Sequence, residues 1–153
     1  MAPKNQHISR ARVCDLFLDT PECNAHTTAA DVLWSSTPLL TLPRYKYKMC
    51  SRMAASILKG ALPKSAEGDQ AAADLIASDE DHYEEFAVKL ASGLIYDSGG
   101  LGNGRLVELR KLLYESRSTS ALFDTKRWVS DLEYAYGEAW RRWEEGIGGD
   151  IYL

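Results

Sequence analysis

The sequence predicts an α/β fold, a few parallel strands followed by several helices, on three observations. Residues 13–18 and 39–42 are short apolar runs of the kind that form buried strands. The stretch between them, 29–34, reads as helix, and strand, helix, strand in that order is a right-handed parallel βαβ unit. From residue 51 onward, apolar side chains recur at spacings of three and four, the period of amphipathic helices.

The composition limits the functions such a fold could serve. A chain of 153 residues is the size of one domain, and 45% hydrophobic with 26% charged residues is a globular balance. A net charge of −4 and a pI near 5.4 argue against a nucleic-acid partner. No apolar run approaches the roughly 18 residues of a membrane span. Residues 1–12 lack the apolar core of a secretory signal. The three cysteines, none in CxxC spacing, fit a reducing compartment and speak against a cysteine-built zinc site.

Taken in order, the first strand carries Val13, Cys14, Leu16, Phe17 and Leu18, and Pro21 prevents its continuation. Thr28 and Asp31, three residues apart, match a capping box at the start of the next helix, with Asp in place of Glu. Pro38 closes that helix, and the second strand ends before Pro43. Arg44, Tyr45, Lys46, Tyr47 and Lys48 form a basic, aromatic loop, and residues 51–62 form a helix. Residues 63–77 open with Pro, Lys, Ser and Gly and read as an exposed insertion. Asp79, Glu80 and Asp81 start a helix where its dipole favours acids, and are a solvated terminus rather than a metal site. Tyr83, Phe86, Ala87, Leu90 and Leu94 are its apolar face. Four glycines make 97–104 a flexible loop, followed by a helix over 106–114. Asp124 caps a long helix whose stripe (Val129, Leu132, Tyr136, Trp140, Trp143) is core or partner-facing, ending at Gly146. Two strands are too few for a covered parallel sheet, so the chain reads as the last part of a larger α/β domain, with exposed edges.

The turn after the first strand holds the most suggestive chemistry. Ligands of open α/β sheets bind beyond the carboxyl ends of the strands. A helix that begins there offers unpaired N–H groups and partial positive charge to an anion. His26, Thr27 and Thr28 add an imidazole and two hydroxyls, and Asp31 lies one turn later, able to accept from a sugar hydroxyl. The same residues also make an ordinary N-cap, and spacing alone favours that reading, since such caps are common. Neither the P-loop nor the G-x-G-x-x-G pattern occurs. Cys23 and His26 could form a thiolate pair, but no third residue to orient them can be named. Lys4 and His7, before the first strand, read on their own as solvated polar residues.

A longer pattern surrounds these residues. The stretch DLFLDTPECNAHTTAADVLWSSTPLLTLP, followed by SRMAAS at 51–56, closely resembles the carboxy-terminal catalytic lobe of protein O-linked N-acetylglucosamine transferases. EEFAVKLA at 84–91 and SALFDTK at 120–126 resemble that family's later helices, so the likeness runs through nearly the whole chain in order. The resemblance implies a GT-B fold, of which this chain is the C-terminal portion of one Rossmann-like lobe. It implies transfer of N-acetylglucosamine from UDP-GlcNAc to protein serine and threonine hydroxyls, with inversion, without metal or cofactor, in cytoplasm and nucleus. Residue by residue, Ala2 and His7 would hold the uracil and Lys4 would reach the ribose. His26, Thr27 and Thr28 would bind the diphosphate, and Asp31 would accept from a ribose hydroxyl. Cys23 would lie near the N-acetyl group.

On this reading residues 1–62 are the donor-nucleotide segment, 63–77 the insertion, and 78–153 helices packing on the lobe. The acceptor lobe would precede Met1, no catalytic residue is named, and the isolated chain is expected to be inactive. Ala25 stands where the family often has glycine, residues 44–50 are longer than its usual link, and 97–105 is a second insertion. Two alternatives are a non-catalytic interaction module built on the 128–143 helix and a transferase using another UDP-sugar.

Overall fold

The computed structural model describes residues 3–152. An eight-residue helix α1 (Lys4–Ala11) precedes strand β1 (Phe17–Leu18), helix α2 (Thr27–Trp34) and strand β2 (Leu39–Leu40). A 3-10 turn, Met49–Ser51, leads into α3 (Met53–Ala61), α4 (Ala66–Leu75) and α5 (Glu80–Ser92). A hairpin of β3 (Ile95–Tyr96) and β4 (Gly102–Asn103) is followed by α6 (Arg105–Ser116) and α7 (Thr125–Glu145). The α/β class and the βαβ order are as the sequence predicts. β1 and β2 run parallel, with Phe17 opposite Leu39 and Leu18 opposite Leu40.

Both strands are shorter than their apolar runs. Val13 is 82% exposed, because residues 12–14 form a turn at the end of α1 instead of entering the sheet. Beyond β2 the sheet gains a third position. Thr41 N–H donates to the Leu75 carbonyl at 3.0 Å and Ala77 N–H donates to the Thr41 carbonyl at 2.9 Å, a parallel bridge between Thr41 and Ile76.

This bridge corrects the expectation that 63–77 is an exposed insertion. Most of it, residues 66–75, is the ordered helix α4, capped by the Ser65 hydroxyl, which accepts from Gly68 N–H. Ala71 and Leu75 are fully buried in the main core. Gly68 lies so close to the chain that a Cβ there would sit 1.9 Å from the Pro63 carbonyl oxygen. Small residues make this face, which is why hydropathy undervalues it. The 97–104 segment likewise folds back as the turn of the β3–β4 hairpin, with Asp97 Oδ1 accepting from Gly99 and Leu101 N–H.

The core gathers Leu33, Leu39, Leu58, Leu75, Leu109 and Leu113, each at most 1% exposed. α2 packs against α1, α3 and α6, so its axis is fixed from three sides. α7 is different. Asp124 caps it as expected, accepting from Arg127 N–H, and Gly146 ends it in the left-handed conformation at φ 66°. None of its residues is buried, and Trp140 and Trp143 are 61% and 72% exposed. The stripe is therefore not core: Leu132 is partly buried and the rest of it is exposed.

Candidate functional site

The carboxyl end of β1 and the start of α2 are joined by residues 19–26, and polar side chains fix this turn. Asp19 ends the strand at 3% exposure. Its Oδ1 accepts from Ala25 N–H at 2.7 Å and its Oδ2 from the Thr41 hydroxyl at 2.7 Å. Its backbone carbonyl takes the Tyr83 hydroxyl at 2.8 Å, which brings in α5. A buried carboxylate is tolerated only when both oxygens are satisfied, and here each has a donor. Asn24, also buried, donates to the Thr20 carbonyl and accepts from Ala54 N–H in the first turn of α3. Ser51 donates to the Pro21 carbonyl at 2.6 Å, and Thr20 donates to the Cys23 carbonyl at 2.7 Å.

The acid on this turn is neutralised. Glu22 accepts from the Tyr45 hydroxyl and from Arg44, with Lys48 at 3.6 Å. The Tyr45 hydrogen bond, with help from these cations, holds its carboxyl below the ordinary range. The basic loop of the sequence reading is thus occupied with Glu22 and, through Arg44, with Glu80.

The turn delivers an open helix start. His26 is the N-cap of α2, and its side chain makes no capping bond. The first intrahelical bond runs from Ala30 N–H to the His26 carbonyl at 3.2 Å, which leaves the N–H groups of the first turn unpaired within the helix. Thr27 and Thr28 are exposed, and no acid lies in that turn. His26 Nε2 is buried without a hydrogen-bond partner among the described residues. The Thr28–Asp31 capping box does not form. Asp31 turns instead to α1, where His7 Nε2 lies 3.4 Å from its Oδ2.

The structure therefore joins His7, Asp31 and the 26–28 start along one side of α2. Lys4 is exposed one turn before His7 on α1, and Cys23 is exposed in the turn itself. Ala2 lies outside the described residues. Among the described residues no group of three His, Cys, Asp or Glu could hold a metal ion. Sequence reading overlooked Asp19, Asn24 and Ser51, whose roles depend on contacts with residues 22 to 64 positions away. The one local signal was an acid placed directly at the carboxyl end of a strand.

Chemically, such a terminus suits an anion: unpaired N–H donors, two hydroxyls, a partial positive charge and no competing carboxylate. The family model for glycosyl transferase family 41 matches residues 1–132. The chain belongs to glycosyl transferase family 41. A probable UDP-N-acetylglucosamine–peptide N-acetylglucosaminyltransferase, SEC of Arabidopsis thaliana, is 41% identical over 141 residues, covering 92% of this chain and 12% of the relative. The Caenorhabditis elegans UDP-N-acetylglucosamine–peptide N-acetylglucosaminyltransferase is 33% identical over 148 residues, 96% of this chain and 11% of the relative. Among solved structures, a mutant O-GlcNAc transferase of Thermobaculum terrenum superposes with a TM-score of 0.66 at 25% identity, over 92% of this chain and 23% of that one. The chain thus spans about an eighth or less of these two curated family 41 relatives. Within the family 41 match lie all the residues just described, from α1 to the Tyr83 contact.

Proposed function

We propose that this chain is the donor-nucleotide part of a family 41 transferase that moves N-acetylglucosamine from UDP-GlcNAc to serine and threonine hydroxyls of proteins. The observation that carries the reading is the open start of α2, presented by a turn that Asp19, Asn24 and Ser51 hold from three directions. The diphosphate would sit on the N–H groups of residues 27–29 and the hydroxyls of Thr27 and Thr28, with His26 Nε2 as a further partner. His7 and Lys4, on the adjoining helix, would meet the base and ribose together with Ala2, and Asp31 would accept from a ribose hydroxyl. Cys23 would lie toward the sugar.

When the glycosidic bond breaks, negative charge builds on the leaving UDP, and preorganised donors at a helix start stabilise it without reorganisation. No metal or cofactor is required by this scheme. The acceptor site and the base that activates the acceptor hydroxyl would come from other parts of a longer protein. That protein would act in cytoplasm and nucleus, in keeping with its free cysteines.

The names of the relatives support N-acetylglucosamine as the sugar. Calorimetric titration of the purified chain with UDP, with ADP as control, tests the proposal. UDP-selective binding that weakens by about tenfold or more in Thr27→Ala/Thr28→Ala is expected, since hydrogen bonds to a charged group contribute roughly 1.5–3 kcal/mol each. A folded chain that ignores UDP would overturn it.

A further inference from the structure

We propose that a second anion site, for a phosphate monoester, lies between the end of α3 and the start of α7. A cavity of about 320 Å³ there is lined by Lys59, Lys64 and Arg127, with Thr119 and Ser120, and no Asp or Glu lines it. In a chain of net charge −4, three cations around one hollow without a carboxylate are a local reversal of sign.

Its walls are fixed. Leu122 N–H donates to the Gly60 carbonyl at 2.8 Å, and the Ser116 hydroxyl donates to the Ala61 carbonyl at 3.3 Å. Leu62 N–H donates to the Leu58 carbonyl at 3.1 Å. These bonds occupy the carbonyls at the end of α3, which a lysine in the last turn ordinarily serves. Lys59 is thereby left for the cavity.

Among the described residues the Arg127 side chain has one ionic competitor, Asp131, at 3.6 Å, and a guanidinium has five donors to share. Ser120 is only 4% exposed, and its hydroxyl reaches the Arg117 carbonyl at 3.4 Å, a long bond that a phosphate oxygen could replace. Thr119 donates to the Ser116 carbonyl at 3.1 Å and can still accept. A doubly charged phosphate matches three cations better than a carboxylate does, and the cavity leaves room for an organic group beside it.

Titration of the full chain with glycerol 3-phosphate, followed by amide NMR, tests the site. Saturable shifts at residues 59–64 and 119–127 are expected, with affinity falling at least tenfold in Lys59→Ala/Lys64→Ala. Arg127→Gln, on a different element, should weaken binding in the same direction. Thr27→Ala/Thr28→Ala should leave it unchanged, and UDP binding should survive loss of the two lysines. A phosphoserine peptide as a parallel probe distinguishes a protein-borne phosphate from a small metabolite, the tighter of the two naming the source. Absence of saturation with both probes overturns the proposal. So does indifference to both the lysine and the arginine variants, or loss of binding in the threonine variant.

Discussion

The turn at 19–26 and the helix α7 both lie at the surface, yet they are held by opposite means. The turn has no regular structure and is fixed by polar side chains in contacts with Thr41 just beyond β2, with α3, with α5 and with the 44–51 segment. α7 is 21 residues of regular helix, fixed by its own cap and by ion pairs such as Arg142 with Glu138 at 2.7 Å, and it buries none of its residues. Regular structure is therefore a poor guide to rigidity of position in this chain. The irregular segment is the better anchored, and it is the one that carries the candidate ligand groups.

The turn is most vulnerable at Asp19. Asp19→Ala strands Ala25 N–H and the Thr41 hydroxyl in the interior, and a loss of about 2–4 kcal/mol in denaturant unfolding is expected. If the loss is below about 1 kcal/mol, the turn is not held as described. Asn24→Ala should cost less, about 1–2 kcal/mol, because its two bonds are longer, at 3.0 and 3.3 Å. Both should lower UDP affinity, since they release the start of α2.

α7 should respond to acid instead. Hydrogen bonds from Arg141, then Arg142, bring the Glu138 carboxyl from 4.5 down to about 2. A depressed carboxylate gives its support above its unfolded pKa and withdraws it as pH falls through the folded value. Helix content of α7 should therefore decline between about pH 4.5 and 2, and circular dichroism of Glu138→Gln should show that part of the decline missing. The smallest effect is expected for Trp143→Ser, within roughly 0.5 kcal/mol, as befits an exposed side chain away from any buried contact. A much larger loss would mean that the stripe is covered in solution.

Periodicity and caps made much of the fold readable. Asp79 and Asp124 cap α5 and α7 where their placement predicts, and the βαβ order follows from two apolar runs and the helix between them. α1 was not readable, because Lys4–Ala11 buries no residue and so has no apolar stripe to recognise. α4 was missed because its inner face is built from Gly68 and Ala71 as much as from Leu75. At the site, Thr27 and Thr28 were legible as part of a helix start, although the N-cap itself is His26. The Asp19 network was not, since an acid after a strand looks like a terminator until Thr41 and Tyr83 are brought to it. The His7–Asp31 contact, between separate helices, had no local signature at all.

Whether donor phosphates rest on the start of α2 is decided by amide NMR of the chain titrated with UDP. The largest shifts are expected at the amides of residues 26–29, accompanied by the His7 ring, with α7 silent. Shifts concentrated on α7 or in the 59–64 cavity, with residues 26–29 unmoved, would contradict it.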